Sequence, residues 1–507
     1  GMVVAYIFVR TWPDLAELTE RQKKGMVLLG IGYGGIFLLA EEGRTEARLS
    51  ALVLLFVLIL WLLTIGMEWM RQKKSTVFQW CALFGLVLCL VSQALFKYAP
   101  SQGNYVGEFT ENNGALLNLT AYSPSTAAVE TGDDSFWRYD QYGTETWQYH
   151  NANLALGLNS VTYYWSLADS YIFQFQKEMY LNLQRDFLYQ NLDSRSFLDA
   201  LTGVKYFVVA AGGEGYVPYG FTEHTVSQWV GKDAETARQE EAEGRDTSGL
   251  NAVKSNVYGT QNFLPLGYSY DSWISREDYE SLSVTEKQQA LLQGIVLEDS
   301  ELPKDAPVFD DQTQEYTVQY SDGIEQEDGG LLVRKAGASM TLTFAGAPES
   351  ETYLILQGLD YEGIRPSDGY TEEEWERLTD YQKNQIRKQD SEWTPPDAAT
   401  LSVQGNGVKN ISYLNRRHSF YAGIHDYLVN AGYSAEGLQT ITVVFQQAGH
   451  YSFDSCSVVC QPVENLNSYV EDRKQESLEH VEIGTNRISG EIELSEAKAL
   501  CLTIPYS

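Results

Sequence analysis

Residues 75–96 read STVFQWCALFGLVLCLVSQALF, with no charge between Lys74 and Lys97. At 1.5 Å per residue, a helix of that length crosses a hydrocarbon core of about 30 Å. Apolar runs dominate the sequence before it. After it the chain turns polar, acidic and rich in Tyr and Gly, with no further run long enough to span. The stretch reads as the last transmembrane helix, the tether of a large body at a membrane.

Two further spans are read upstream. Leu49–Met67 (LSALVLLFVLILWLLTIGM) is strongly apolar, and Gly25–Ala40 is uncharged but short and glycine-rich. The three spans are placed at about 25–40, 49–70 and 75–96. Basic clusters occur at Arg21, Lys23 and Lys24 and again at Arg71, Lys73 and Lys74. The positive-inside rule puts both in the cytoplasm. The loop Glu41–Arg48 and everything after Lys97 are then expected outside the cell. Residues 1–24 read as the end of an upstream helix and a cytoplasmic loop, so the chain is expected to begin inside a longer protein.

The net charge of -32 lies almost wholly in that outer body, which carries 27 Lys and Arg against 61 Asp and Glu beyond Phe96. A body this acidic repels phosphate backbones, which excludes nucleic acid as a partner. Five cysteines do not make a disulfide framework. Cys456 and Cys460 leave two readings open. On one strand they stand about 13 Å apart and stay reduced, whereas a turn between them permits a disulfide. No Cys/His grouping has zinc spacing, so no metal is expected.

Residues 97–305 read as an α/β region. Its segment Phe136–Tyr189 is dense in aromatics, and Ser196–Leu201 followed by VKYFVVA suggests a short helix feeding a buried strand. Ser275 reads as an N-cap, and Ser283 with Glu286 forms a capping box that opens a helix. Residues 306–507 alternate in the period of strands, as in SMTLTFAG, ETYLILQG and QTITVVFQQ, and read as a β-sandwich. A helical insertion is read at about 371–390, opened by a second capping box, Thr371 with Glu374. The final strand has no turn after it, so the chain is also expected to stop inside the larger protein. The fold class expected is therefore mixed: N-terminal transmembrane α-helices, then an extracytoplasmic α/β region and a β-sandwich, α+β overall.

Aromatic rings beside amides and guanidinium groups suit sugars, because ring faces stack on C–H faces while amides bind hydroxyls. The candidate sugar or polymer contacts are Trp137, Arg138 and Tyr139, together with Asn159, Tyr163, Tyr164 and Trp165. A core built from the same aromatics is the competing reading. His418 and His425 have no triad partners at a defensible spacing. No residue is singled out as catalytic.

Four stretches resemble the YfhO family of bacterial membrane proteins: Leu198–Val209 (LDALTGVKYFVV), Val257 and Tyr258 with Leu264–Tyr268 (LPLGY), Ser283–Leu297, and Leu502–Tyr506 (LTIPY). The resemblance covers nearly the whole chain. It implies a multi-span protein similar to GT-C glycosyltransferases, adding sugars to cell-wall polymers such as teichoic acid. The donor would be a polyprenyl-phosphate-linked sugar, and the partners membrane lipid and a cell-wall glycan. No cofactor is evident in this chain. The family's acidic catalytic residue would lie upstream, so this portion is expected to recognise or position the acceptor. A non-catalytic, membrane-anchored carbohydrate-binding or scaffold module is the alternative.

Overall fold

A computed structural model describes residues 131–142, 151–155, 157–164, 167, 169–182, 187–231, 233–250, 252–484 and 486–504, with Val129 and isolated positions before it. The chain divides into two units, Gly1–Gly114 and Ala115–Ser507. In the first, Arg10 Nη1 donates to Tyr6 Oη one helical turn away at 2.9 Å. Thr19 and Gln22 exchange capping bonds, with Thr19 N donating to Gln22 Oε1 at 2.9 Å.

The expected fold class is corrected. The described chain is mostly β-sheet with few helices, and among the described residues no helix is long and apolar enough to cross a membrane. The spans expected at 25–40, 49–70 and 75–96 lie outside the described residues except for Gly25, Leu28, Gly32 and Val87, each helical. A span needs a continuous helix as well as apolar composition. The longest described helix, Asp380–Glu392, has 13 residues, which is about 20 Å against a core of about 30 Å.

The second unit begins with a mixed sheet of β1 (Arg138–Tyr142), β2 (Val204–Ala210), β3 (Thr222–Gly231) and β4 (Ala252–Gly259), ordered β1-β2-β4-β3. β1 and β2 are parallel, and α1 (Ser170–Glu178) and α2 (Ser196–Leu201) lie in the connection between them. The other pairs are antiparallel. Next come β5 (Gly267–Tyr270), β6 (Trp273–Ser275), α3 (Arg276–Glu280), α4 (Val284–Gln293) and β7 (Ile295–Leu297). β6 and β7 pair in parallel around the two helices.

Two antiparallel sheets follow, built from β8 (Gln312–Gln314), β9 (Tyr316–Tyr320), β10 (Ser339–Phe344), β11 (Ser350–Gln357), β12 (Ala398–Gln404), β13 (Val408–Leu414), β14 (Tyr427–Ser434), β15 (Thr440–Phe445) and β16 (Ser455–Pro462). One is ordered β8-β16-β11-β14 and the other β9-β10-β15-β12-β13. Residues two apart on a strand share a face. Leu354 and Leu356 of β11 therefore meet Leu342, Val443 and Phe445 of the other sheet in the largest core of the unit. Tyr353 and Ile355 point the opposite way, to Leu428, Val459 and Val284 at the start of α4. Seven of the eight residues of β11 are buried. That strand is an inner layer, packed on the second sheet on one side and on the helices on the other. After α5 (Leu466–Lys474), the late strand β17 (Ala499–Leu502) returns to pair with β5.

The caps form as their chemistry dictates. Ser283 Oγ accepts from Glu286 N at 3.3 Å while Glu286 Oε2 accepts from Ser283 N at 2.8 Å. Ser283→Ala should cost about 1 kcal/mol in chemical unfolding. A Glu286→Ala change with no effect on stability would show that the reciprocal box contributes nothing. The insertion near 371–390 is two helices, Glu372–Arg377 and Asp380–Glu392, separated by a third box, Thr379 with Gln382. Cys456 and Cys460 stand on the uninterrupted strand β16 and are free thiols. No turn brings them together, and the disulfide reading falls.

Candidate functional site

Charged side chains gather where α2 meets β11, β13 and β14. The chain enters α2 through Asp193 and Ser194, both left-handed at φ 62° and 55°. Each such non-glycine residue costs on the order of 1 kcal/mol, so its surroundings must hold it. Asn430 N donates to Asp193 Oδ2 at 2.6 Å and Asn430 Nδ2 to Ser194 O at 2.6 Å. Lys409 Nζ lies 2.9 Å from Asp193 Oδ1 and donates to Asp193 O at 2.6 Å. Arg195, fully buried, donates to Met179 O at 2.6 Å and Leu428 O at 3.1 Å, and its Nε stands 3.7 Å from Asp193 Oδ2.

One turn on, Ser196 N and Oγ donate to the buried carboxylate of Glu351, which also accepts from Tyr353 Oη at 2.6 Å. Asp140 of β1 and Asp199 of α2 are wholly buried and act on each other electrostatically, and among the described residues neither carboxylate oxygen of Asp199 has a hydrogen-bond donor. Asp140 accepts from Gln141 N at 2.7 Å and Leu192 N at 2.9 Å. Burial pushes Asp140 up to about 7. It raises Asp199 well above the carboxylate range, helped by the negative charges of Asp140 and Glu351. Burial likewise raises Glu351 and lowers Lys409. Burial beside two other acids thus favours the protonated form of Asp199. This cluster is sealed from solvent and ties the first sheet, α2 and the inner strand β11 together.

Beside it lies a cavity of about 830 Å³ walled by α1, α2, α3, α4, β5, β7 and β17. Its walls are mainly apolar, with Phe175, Leu291 and Val296 alongside five tyrosines. The Tyr268 and Tyr270 hydroxyls donate to the carbonyls of Leu201 and Leu291. Arg138 of β1 stands in the wall, its Nη1 donating to Thr202 O at 2.6 Å and Thr503 Oγ1 at 3.1 Å, its Nη2 to Thr503 O at 2.6 Å. Its guanidinium carbon lies 4.8 Å from the centre of the Phe136 ring. Burial lowers Arg138 to about 10, with only Tyr268 and Tyr163 opposing. Among the described residues no carboxylate pairs with it. Every other described arginine that is buried or half-buried has one: Arg195 with Asp193, Arg276 with Glu178 and Glu280, Arg334 with Glu325, Arg473 with Asp271.

The seven residues singled out from sequence separate. Arg138 and Tyr163 line the cavity. Trp137 and Tyr139 are buried in the core under the first sheet, with Trp137 edge-on to Tyr206. Asn159 is exposed, its Nδ2 3.4 Å from Trp137 O. Tyr164 follows Tyr163 on a two-residue strand and so faces the other way, 42% exposed. Asn151 fixes its backbone with two bonds of 2.8 Å. Trp165 lies outside the described residues. Beside Tyr164 a file of rings continues through Phe187 at 5.5 Å and Phe420 at a further 5.8 Å to His418 at 5.7 Å. Sequence reasoning missed Phe187, Phe420 and the whole buried charge cluster. Among the described residues no group of His, Cys, Asp or Glu is arranged to hold a metal ion.

The family model described as bacterial membrane protein YfhO matches residues 1–507, and the chain belongs to that family. An uncharacterized protein YfhO of Bacillus subtilis (strain 168) is 23% identical over 274 residues, covering 50% of this chain and 28% of that relative. The match thus spans little more than a quarter of the relative's length. Two solved structures show faint likeness. CsCBM6-3 from Clostridium stercorarium, in complex with cellobiose, is 14% identical over 30% of this chain and 94% of its own, with a TM-score of 0.16. The arabinofuranosyltransferase AftD from Mycobacteria is 10% identical over 67% of this chain and 32% of its own, with a TM-score of 0.21. Both scores are too low to establish a shared fold.

Proposed function

We propose that this chain is the acceptor-handling part of a membrane-bound sugar transferase that modifies cell-wall polymers such as teichoic acid on the outer side of the membrane. The observation that carries the reading is the file of partly exposed rings from Tyr164 through Phe187 to Phe420. It joins the first half of the unit to the loop before β14 and offers ring faces for sugar C–H faces to stack on. Asn159 supplies an exposed amide for hydroxyls. Membership of a bacterial membrane protein family supports the location.

Binding rather than chemistry suits the acids. A general base must reach the acceptor hydroxyl. Of the carboxyl groups with raised proton affinity, Asp140, Asp199 and Glu351 are fully buried, and Asp311, half-buried, accepts from Gln461 Nε2 at 2.8 Å. Glu178, in the cavity wall, is paired with Arg276 at 3.0 Å. In a titration of the protein with teichoic acid oligomers, Tyr164→Ala and Phe420→Ala should each weaken binding about tenfold, the worth of about 1.4 kcal/mol of stacking. Equal affinity in both variants, or no binding by the parent protein, would remove the acceptor role.

A further inference from the structure

The cavity and the ring file are chemically different, and the cavity needs its own occupant. We infer that it holds a single-chain amphiphile, the anionic head against Arg138 and the apolar chain along Phe175, Leu291 and Val296. Three observations lead there. The volume of about 830 Å³ falls in the range of small-molecule sites, roughly 300–1,000 Å³. The walls offer aromatic and aliphatic surface, and the hydroxyls of Tyr268 and Tyr270 are already engaged by the carbonyls of Leu201 and Leu291. Arg138 is the arginine of that wall whose charge no described acid balances.

A guanidinium carries five N–H donors. Thr202 and Thr503 take three from Arg138. The Nε–H and one Nη2–H are left over among the described residues. Two donors on one fork are what a carboxylate or a phosphate monoester accepts side by side. The other cation in the wall, Arg276, is saturated by Glu178 and Glu280, both at 3.0 Å. One head group is therefore accommodated, not two. A soluble sugar polymer fits poorly, because desolvating its hydroxyls against these walls costs more than the few polar partners return. The inference does not depend on the sugar-transferase reading and survives if that reading fails.

The test uses the full chain in phosphatidylcholine nanodiscs, exposed to laurate, dodecyl phosphate or dodecanol, each bearing a diazirine at the chain end. Light-induced adducts are mapped by peptide mass spectrometry. At least one anion should label the segments 172–175 or 291–297, at least tenfold more than dodecanol does. Labelling by laurate alone assigns a carboxylate head, and by dodecyl phosphate alone a phosphate head. Arg138→Gln should cut labelling at least tenfold, with Arg138→Lys intermediate because the charge stays while the fork is lost. Ile172→Trp, on the half-exposed helix α1, fills the chain end without touching Arg138 and should also abolish labelling at an unchanged melting temperature. Equal labelling by dodecanol, adducts confined to residues outside the cavity, or indifference to both Arg138→Gln and Ile172→Trp would overturn the inference.

Discussion

Replacing Arg195 by methionine should destabilise the second unit by about 3–5 kcal/mol, the usual cost of breaking a buried ionic network by removing one partner. The side chain is 0% exposed and bridges the carbonyls of Met179 and Leu428, which belong to different layers. Methionine fills similar space but leaves both carbonyls unpaired in a place water does not reach. It also strips a cation from Asp193, whose left-handed backbone the network holds. Arg334→Met is the internal control. Arg334 pairs with Glu325 at 2.7 Å, but that carboxylate is half-exposed, and the change should cost less than about 1 kcal/mol. Denaturant unfolding at pH 7 compares the two. Similar costs would show that the cluster at α2 does not hold the layers together.

Stability should fall as pH rises from about 4 to about 7 and level off above that. An unfolded aspartate gives up its proton near 3.8, whereas folded Asp140 keeps one up to about 7 because ionising it in the sealed cluster is costly. Between those values the folded state holds a proton the unfolded state has lost, so its stability drains away as pH climbs through the window and is fully lost above it. The span corresponds to on the order of 4 kcal/mol. Lys409 and Glu351 face the same pair and act on it in opposite directions. Asp199→Asn removes the second carboxyl. That variant should melt higher than the parent at pH 8.5 and show a shallower pH dependence. A parent protein whose melting temperature is flat from pH 5 to 8.5 would contradict the raised proton affinity of Asp140.

Local signals in the sequence translated well where they concern single turns. The Ser283 and Thr371 boxes and the Ser275 cap are formed, because capping is decided by residues three apart. The third box at Thr379 went unread, and one helix became two. The fold class differs because the described residues form mostly sheets with short helices, none of them long and apolar enough to cross a membrane. In the candidate site, aromatic density along the sequence carries no information on the direction of each ring. Tyr163 and Tyr164 are neighbours in sequence and point to opposite sides of a strand. The charge cluster was illegible for a different reason. Asp140, Asp199, Glu351 and Lys409 come from four elements far apart in the chain, and a charged letter carries no mark of its burial.

The proposal that this chain presents a polymer to a sugar transferase is tested most directly in cells. The gene for the whole protein is deleted, and the cell-wall polymers are compared by mass spectrometry with those of strains carrying the parent gene or a Tyr164→Ala, Phe420→Ala version at equal protein level. The expected result is a sugar substituent lost on deletion, restored by the parent gene, and restored poorly by the doubly substituted one. Polymers identical in all three strains would contradict it.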